Sequence, residues 1–378
     1  MKKGVKIALS LIIILAIVCS AVAVWLYRYY NFSDYKVSED IKDYEFTGFV
    51  GQVLADEGWA VIPDVRIFTL YAFLNSIGGF DEEYGDSMTT QRAELRADLE
   101  QVLSMLDESK IKHWQEFYTK HELHHYAYVY YTLTLGTPPN FNYIVDKERL
   151  KDIYNMVKLK KFHGILTEFY NDANIGDLYK NKYQKLMEDE VLKYSKDAIN
   201  RDINSMYEYL RLNPLIKDLI SVIIIPNPFD SHYSAYAVDF NDTLYVIDGP
   251  GSNDGGLNIH EYLHKFINPI VGKYIDENKS KFDRILDENK DKSIVSGSYR
   301  KTDTFVNECL VRAIDYRIAL AQEKYGDDTE KIIRSKISQD ETGGLVLVRP
   351  FYEKLEKYEK DSGMEIDAFI YELLSEDY

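Results

Sequence analysis

Residues 243–267, TLYVIDGPGSNDGGLNIHEYLHKFI, change from a strand pattern to a helix pattern within one short stretch. The segment TLYVIDG (243–249) has the β-branched and aromatic residues that are typical of a buried strand. It is followed by GPGSNDGG (249–256), a glycine-rich turn. The residues after the turn place His260 and His264 on a predicted helix. The stretch therefore predicts a helix that begins beside a sheet and carries two histidines.

Two other segments predict the rest of this sheet. LISVIIIP (219–226) is typical of a buried strand, and SAYAVDF (234–240) is a further strand that precedes residues 243–249. Asn241 and Asp242 separate the last two strands, which favours an antiparallel hairpin. Helix patterns fill most of the remaining sequence. We therefore predict a predominantly helical α+β fold with a small antiparallel sheet.

The pattern His-Glu-x-x-His is formed by His260, Glu261 and His264, and on a helix it can hold a catalytic zinc ion. Positions four residues apart are about 40° apart around a helix axis, so the two imidazoles can bind one metal. Glu261 projects beside the metal, where it can act as the general base on a water molecule. Asn253 and Asp254 are the candidate N-caps of this helix. A third protein ligand has to come from elsewhere in the chain.

The segment FVNECLVRAIDYR (305–317) predicts a second helix that offers Glu308. An Asn-Glu pair followed by further helical residues resembles the third-ligand helix of the glutamate zincins, or gluzincins. The resemblance implies one Zn²⁺ ion held by His260, His264 and Glu308, with Glu261 as the catalytic base.

Several other residues are predicted to support this site. Arg312 and Asp315 lie four and seven residues after Glu308, on one helix face, and can hold a ligand carboxylate or histidine in place by hydrogen bonds. Asn307 is assigned the same role. A side chain that donates a hydrogen bond usually stabilises the oxyanion of peptide hydrolysis. The candidates for this donor are Tyr299, Tyr316 and His232.

The stretches HEYLHKFINPIV (260–271) and NECLVRAI (307–314) also resemble the bacterial family catalogued as domain of unknown function 4932. The resemblance covers residues 60–375 loosely and the two quoted stretches closely. It implies a zinc peptidase of zincin type and supplies no substrate. Lys265, directly after the second histidine, departs from the uncharged residue that is usual at this place in zincins.

A second match to the same pattern, HELHH, occupies residues 121–125. Its histidines are predicted to belong to one stripe of an amphipathic helix, where histidines usually pack and form hydrogen bonds. This stripe consists of Trp114, Phe117, His121, His125 and Tyr128. Glu148 and Glu168 are possible third ligands, but no Asn-Glu helix follows the motif. One active site needs a single such motif, and we predict that it is HEYLH.

The composition excludes one class of partner. The chain of 378 residues has a formal net charge of −17, which argues against nucleic acid because phosphate binding needs a basic surface. Hydrophobic residues make up 46% and charged residues 28%, as in globular proteins. With Cys19 and Cys309 as the two cysteines, the part of the chain after the N-terminal run cannot form an internal disulfide.

The N-terminal run IALSLIIILAIVCSAVAVWL (7–26) has no charged residue and, as a helix, is about as long as a bilayer core is thick. Lysines precede it, and acidic residues follow soon after Arg28. The positive-inside rule therefore predicts a single-pass membrane protein, held in the membrane through residues 7–27, with its N-terminus in the cytoplasm. The alternative is a signal peptide that is cleaved near Ala23, which would give a secreted protein.

These patterns divide the chain into an anchor (1–30), a stalk (31–44), a mainly helical region (45–218) and a zincin-like catalytic region (219–378). The predicted function is that of a membrane-anchored, extracytoplasmic zinc metallopeptidase that acts on a peptide or protein. The alternative is a non-enzymatic binding or scaffold protein at the cell surface.

The predicted anchor can be tested with a reporter fused after residue 40. We expect reporter activity outside the cell and reporter protein in the membrane fraction, because the uncharged run is long enough to span a bilayer. A fusion that lacks residues 7–26 is the control and should stay in the cytoplasm. Reporter that is released into the medium with Val24 as its first residue would establish cleavage instead.

Overall fold

A computed structural model of the protein describes residues 53–56, 58–78, 89–121, 123–145, 150, 156–213, 221–240, 243–252 and 255–378. The predicted anchor (1–30) with its cleavage site near Ala23, the stalk (31–44), and Asn253 and Asp254 lie outside the described residues. Within the described part of the chain, no helix is long and apolar enough to cross a membrane.

The described residues divide into two compact units. We call residues 64–78 and 90–184 the helical unit, and residues 53–63 and 185–378 the sheet unit. The sheet unit is larger than the region 219–378 expected from the sequence, because it includes a segment before residue 64 and the helices after residue 184.

The helical unit contains short and medium helices. They are α1 (Val65–Ser76), α2 (Thr90–Leu103), α3 (Glu108–His121), α4 (His125–Leu133), α5 (Met156–Leu159), α6 (Phe162–Asp172) and α7 (Ile175–Leu178), with a π-helical turn at Tyr179–Tyr183. Its core is rich in aromatic rings, and the ring of Phe73 makes edge contacts with Phe162 and Phe169. Trp114 is 1% exposed and packs against Phe169 in the same way. Aromatic side chains bury large apolar areas, so these contacts stabilise the helical unit.

The HELHH motif of the helical unit is divided between two helices. Helix α3 ends at His121 and α4 begins at His125. His124 is the N-cap of α4, and its Nδ1 accepts the backbone N–H of Tyr126 at 3.3 Å. The prediction of one continuous helical stripe through this motif is therefore wrong. His121 and His125 are not on one continuous helix, so the four-residue spacing that lets two imidazoles bind one metal does not apply to them.

The sheet unit contains one five-stranded sheet. Its strands are β1 (Leu54–Asp56), β2 (Trp59–Val61), β3 (Ser221–Pro226), β4 (Ala235–Phe240) and β5 (Thr243–Asp248), in the order β1-β2-β3-β5-β4. Strands β4 and β5 pair antiparallel, as the hairpin predicts, whereas β3 pairs parallel with both β2 and β5. The sheet is thus mixed, and the prediction of an antiparallel sheet is wrong. The reason is that β5, rather than β4, lies beside β3, so the hairpin turns the chain back to the direction of β3.

Helices make up most of the sheet unit, so the prediction of a predominantly helical α+β fold is confirmed. They are α8 (Gln184–Val191), α9 (Lys196–Leu210), α10 (Ile259–Tyr274), α11 (Lys279–Asn289), α12 (Ser293–Ser298), α13 (Thr302–Ala321), α14 (Thr329–Thr342), α15 (Val348–Lys360) and α16 (Ile366–Ser375), with 3₁₀ turns at Ile275–Asn278 and Gly326–Asp328.

One face of the sheet shares a hydrophobic core with these helices. Alternate residues of the strands, such as Val222 and Ile224 of β3 and Val246 of β5, belong to this core. Helix α10 contributes Leu263 and Ile267, both fully buried. The core therefore fixes α10 against the sheet, and with it the residues on the other face of α10.

The turn between β5 and α10 is held in place by α9 and by the end of α8. Gly255 accepts the backbone N–H of Ser195 at 2.7 Å, and the N–H of Leu257 donates to Asp202 Oδ2 at 3.1 Å. Gly255 has a φ of +82°, and a Cβ added there would lie 2.5 Å from the carbonyl oxygen of Lys193. Only glycine fits this position without strain.

Gly255→Ala should therefore destabilise the protein by about 1–3 kcal/mol, because it adds both a strained φ and a clash with backbone. Gly272→Ala is a matched control, since a Cβ at Gly272 in α10 meets nothing within 4 Å. That change should leave the free energy of unfolding unchanged or raise it by up to about 1 kcal/mol. Urea unfolding of both variants measures the difference, and equal stabilities would contradict this account of the turn.

Candidate metal centre

Helix α10 begins directly after its N-cap, Asn258. The side-chain oxygen of Asn258 accepts the backbone N–H of Glu261 at 3.4 Å. The cap thus lies closer to the motif than Asn253 or Asp254, the candidates taken from the sequence. An N-cap satisfies one of the free N–H groups in the first turn, so it stabilises the turn that carries the motif.

Three predicted ligands converge between α10 and α13. Nε2 of His260 lies 3.3 Å from Nε2 of His264. Oε2 of Glu308 lies 3.5 Å from each of these two nitrogen atoms. The Glu308 side chain is almost fully buried, whereas about a fifth of each histidine side chain is exposed. The cluster is therefore open to solvent on the histidine side and closed behind Glu308.

The spacing of these three atoms fits a tetrahedral metal ion. Zinc bonded to nitrogen or oxygen at about 2.0–2.1 Å in tetrahedral geometry separates its ligand atoms by about 3.3–3.4 Å. The observed separations are 3.3, 3.5 and 3.5 Å. Two neutral imidazoles and one carboxylate are also a donor set that zinc accepts, with a fourth position left for water or substrate. Among the described residues, this is the one cluster of His, Cys, Asp or Glu side chains with spacing suited to a metal.

Asn268 orients the second histidine. Nδ1 of His264 lies 3.0 Å from the side-chain oxygen of Asn268. A proton on Nδ1 donates to that oxygen and leaves the lone pair of Nε2 directed at the cluster. Asn268 is not among the residues predicted from the sequence, although its position four residues after His264 places it on the same helix face.

Charge compensation surrounds Glu308. Its Oε1 accepts a hydrogen bond from Arg312 Nε at 2.6 Å. Burial alone raises the pKa of Glu308, but the charges of His260 and Arg312 outweigh burial and hold this pKa well below its usual range. Burial lowers the pKa of His260, while the charge and hydrogen bond of Glu308 and the charge of Glu261 raise it to about 9. The carboxylates thus favour a positive charge at the position of His260.

Glu261 lies next to the ligands without being one of them. Burial raises its pKa, whereas the charges of His260 and His264 and a hydrogen bond from the backbone N–H of Ala237 lower it, and the net direction is upward. A carboxylate with a raised pKa is a better proton acceptor at neutral pH than a fully solvated one. The contact with Ala237 also places Glu261 beside strand β4.

The three candidates for the oxyanion donor lie in different places. Burial, and then the charge of and a hydrogen bond to Glu308, raise the pKa of Tyr299 well above its usual value. Tyr316 donates its hydroxyl to Asp340 Oδ2 at 2.7 Å, behind the ligands. His232 is exposed in the loop between β3 and β4 and contacts the ring of Tyr233. Tyr299 is therefore the candidate that lies beside the ligands.

The residues predicted to support the ligands differ in whether they contact a ligand. Arg312 contacts Glu308, as described above. Asp315 is half-buried and, among the described residues, makes no hydrogen bond to a ligand. It is two helical turns from Glu308, about 10 Å along the axis, so it cannot reach the same atoms. The carboxylate that meets Arg312 is instead Asp340 of α14, with its Oδ1 2.8 Å from Arg312 Nη1. Asn307 has a buried Oδ1 without a hydrogen-bond partner in the described part of the chain.

Lys265 forms an ion pair with Asp239. Its Nζ donates to Oδ2 of Asp239, near the end of β4. The charged residue directly after the second histidine therefore points to the edge of the sheet rather than to the ligands, and it ties α10 to β4.

Loss of one ligand should abolish tight metal binding. Glu308→Ala leaves two imidazoles, and we expect the affinity for Zn²⁺ to fall by at least about 100-fold. Glu288→Ala, an exposed position on α11, is the control and should bind zinc as the unchanged chain does. Metal analysis after gel filtration, together with the zinc-dependent rise in melting temperature, measures both variants. Full zinc occupancy in Glu308→Ala would show that another residue is the ligand.

Comparison with known proteins agrees with the resemblance seen in the two quoted stretches. Residues 240–374 match the family model described as Domain of unknown function (DUF4932). This range includes His260, Glu261, His264 and Glu308. No curated protein and no solved structure matches the chain. The part of the sheet unit that carries the cluster of His260, His264 and Glu308 is thus similar to a domain family whose description states no activity.

Proposed function

We propose that this protein is a zinc metallopeptidase of gluzincin type, which hydrolyses peptide bonds. The observation that carries the proposal is the spacing of His260, His264 and Glu308, which matches three corners of a tetrahedral zinc site. Zinc held there would supply a Lewis acid that polarises a carbonyl group and makes a water molecule more acidic.

Glu261 supplies the proton transfer that hydrolysis needs. It follows the first ligand directly and lies close enough to His260 and His264 to be affected by their charges. In the proposed reaction its carboxylate removes a proton from the attacking water and passes that proton to the leaving amine. Burial of Glu261 supports this role, because burial raises the pKa of the carboxylate towards the pH at which it works.

Strand β4 provides a place for an extended peptide. It is at one edge of the five-stranded sheet, and the backbone N–H of Ala237 is directed at Glu261. The backbone N–H of Ala237 therefore points away from β5. The backbone N–H groups of Ala235 and Asp239 point the same way, because alternate residues of a strand have the same backbone direction. The backbone of an edge strand can pair with a peptide in extended conformation. A peptide bound in this way would pass the carboxylate of Glu261.

Tyr299 is the proposed donor to the oxygen of the scissile carbonyl. Its raised pKa means that the phenol keeps its proton at neutral pH and can donate a hydrogen bond. The hydroxyl of Tyr299 forms a hydrogen bond with Glu308, one of the predicted ligands.

We place this activity outside the cytoplasm, at a membrane. The support for this location is the uncharged run at residues 7–26 with lysines before it. The competing function is that of a surface protein that binds a partner without hydrolysis. It predicts a folded protein that gains no stability with zinc and cleaves no peptide.

The general-base role of Glu261 gives a sharp test. Glu261→Gln is nearly isosteric but cannot accept a proton at neutral pH, so it should retain zinc and lose hydrolysis by several orders of magnitude. The matched control is Glu122→Gln in HELHH, which should cleave a mixed peptide library as the unchanged chain does. Metal content and cleavage are measured on the same preparations.

Two results would contradict the proposed function. The first is unchanged cleavage in Glu261→Gln, since the general base would then be another group. The second is loss of cleavage in Glu122→Gln alone, which would make HELHH the functional motif.

A further inference from the structure

A short network of side chains connects Glu308 to a buried carboxylate on another helix. Arg312 Nε donates to Glu308 Oε1 at 2.6 Å, and Arg312 Nη1 donates to Asp340 Oδ1 at 2.8 Å. The other oxygen of Asp340 accepts the hydroxyl of Tyr316 at 2.7 Å. Asp340 is 3% exposed. Both of its oxygens are therefore engaged, and one guanidinium is shared between two carboxylates.

This arrangement fixes the plane of the Arg312 side chain. The donors of a guanidinium are held in a rigid planar fork, so contacts with two separate carboxylates leave it one orientation. A lysine has a single ammonium group and cannot reach both partners with the same geometry. The orientation of Arg312 is thus set by Asp340 on one side and by Glu308 on the other.

The consequence appears at the two oxygens of Glu308. Oε1 is taken by Arg312, and Oε2 is the oxygen that lies 3.5 Å from both His260 and His264. We infer that Asp340 is a positioning residue of the metal site, which acts through Arg312 to keep Oε2 of Glu308 directed at the two histidines. This inference rests on the metal site of the proposed function.

Loss of Asp340 changes the site in two ways. Two carboxylates and one guanidinium carry one net negative charge, and without Asp340 this charge is cancelled, so a metal cation is attracted less. Arg312 also becomes free to turn and to hold both oxygens of Glu308 in a parallel pair of hydrogen bonds. That arrangement withdraws Oε2 from the histidines. Both effects lower metal affinity while leaving the histidine pair intact.

The test compares Zn²⁺ affinities of folded variants by competition with a chromogenic chelator. Asp340→Asn removes the charge with little change of size, and Arg312→Lys keeps the charge but cannot bridge the two carboxylates. We expect each to weaken Zn²⁺ binding about 10–100-fold, as for other partners of ligand residues. The visible absorption of bound Co²⁺, which responds to the number and kind of ligands, should change with them. Asp315→Asn is the control, because it makes the same change of charge as Asp340→Asn at a position on α13. It should leave the Zn²⁺ affinity and the Co²⁺ spectrum unchanged.

Melting temperatures in excess chelator separate this role from simple support of the fold. A purely structural role for Asp340 would lower the melting temperature and leave the affinity of the folded protein unchanged, and that result overturns the inference. Tyr316→Phe is the milder variant if the other two do not fold, because it removes one hydrogen bond from Asp340 and touches no ligand. A smaller loss of Zn²⁺ affinity supports the inference, and unchanged affinity overturns it.

Failure of the inference can be told apart from failure of the proposed function. If the unchanged chain binds zinc and its cleavage depends on Glu261, normal affinity in the Asp340 and Arg312 variants overturns the inference alone. If the unchanged chain binds no zinc, that result contradicts both the proposed function and the inference that rests on it.

Discussion

A buried carboxylate has to be compensated, and this requirement at Glu308 organises the residues around it. An isolated charge in the interior costs several kcal/mol after relaxation, so Glu308 persists there only with partners. Arg312 meets one of its oxygens, and the two histidines of α10 meet the other. Electrostatic attraction therefore already holds together the three groups that a metal would bind. The folded chain thus presents these groups close together before a metal binds.

The fold supports this cluster by placing two helices against each other. Helix α10 buries Leu263 and Ile267 on one face, which leaves His260 and His264 for the face towards α13. The start of α10 is in turn fixed by its N-cap Asn258 and by the glycine turn that contacts α9. The position of the imidazoles thus depends on the hydrophobic core and on the turn together.

Much of this could be predicted from local sequence. The hairpin of β4 and β5, the helix after it and the ligand candidates all follow from patterns within a few residues. The parallel pairing of β3 could not, because it depends on which of two later strands lies beside it. Asp340 is invisible in the sequence for the same reason, since its contact with Arg312 joins two helices far apart in the chain. Asn268 could have been predicted from the sequence, because it continues the four-residue spacing of the histidines.

The two His-Glu-x-x-His matches differ in their surroundings rather than in their letters. HELHH is interrupted by the end of one helix and the start of the next, so its first and last histidines do not share a helix face. HEYLH lies on one continuous helix, and a carboxylate from a second helix completes its geometry. Helix continuity brings two imidazoles together, but a third ligand with its own compensating charge makes the position attractive to a metal. The proposed metal site therefore depends on the packing of α10 against α13 and α14, and the His-Glu-x-x-His motif is one part of it.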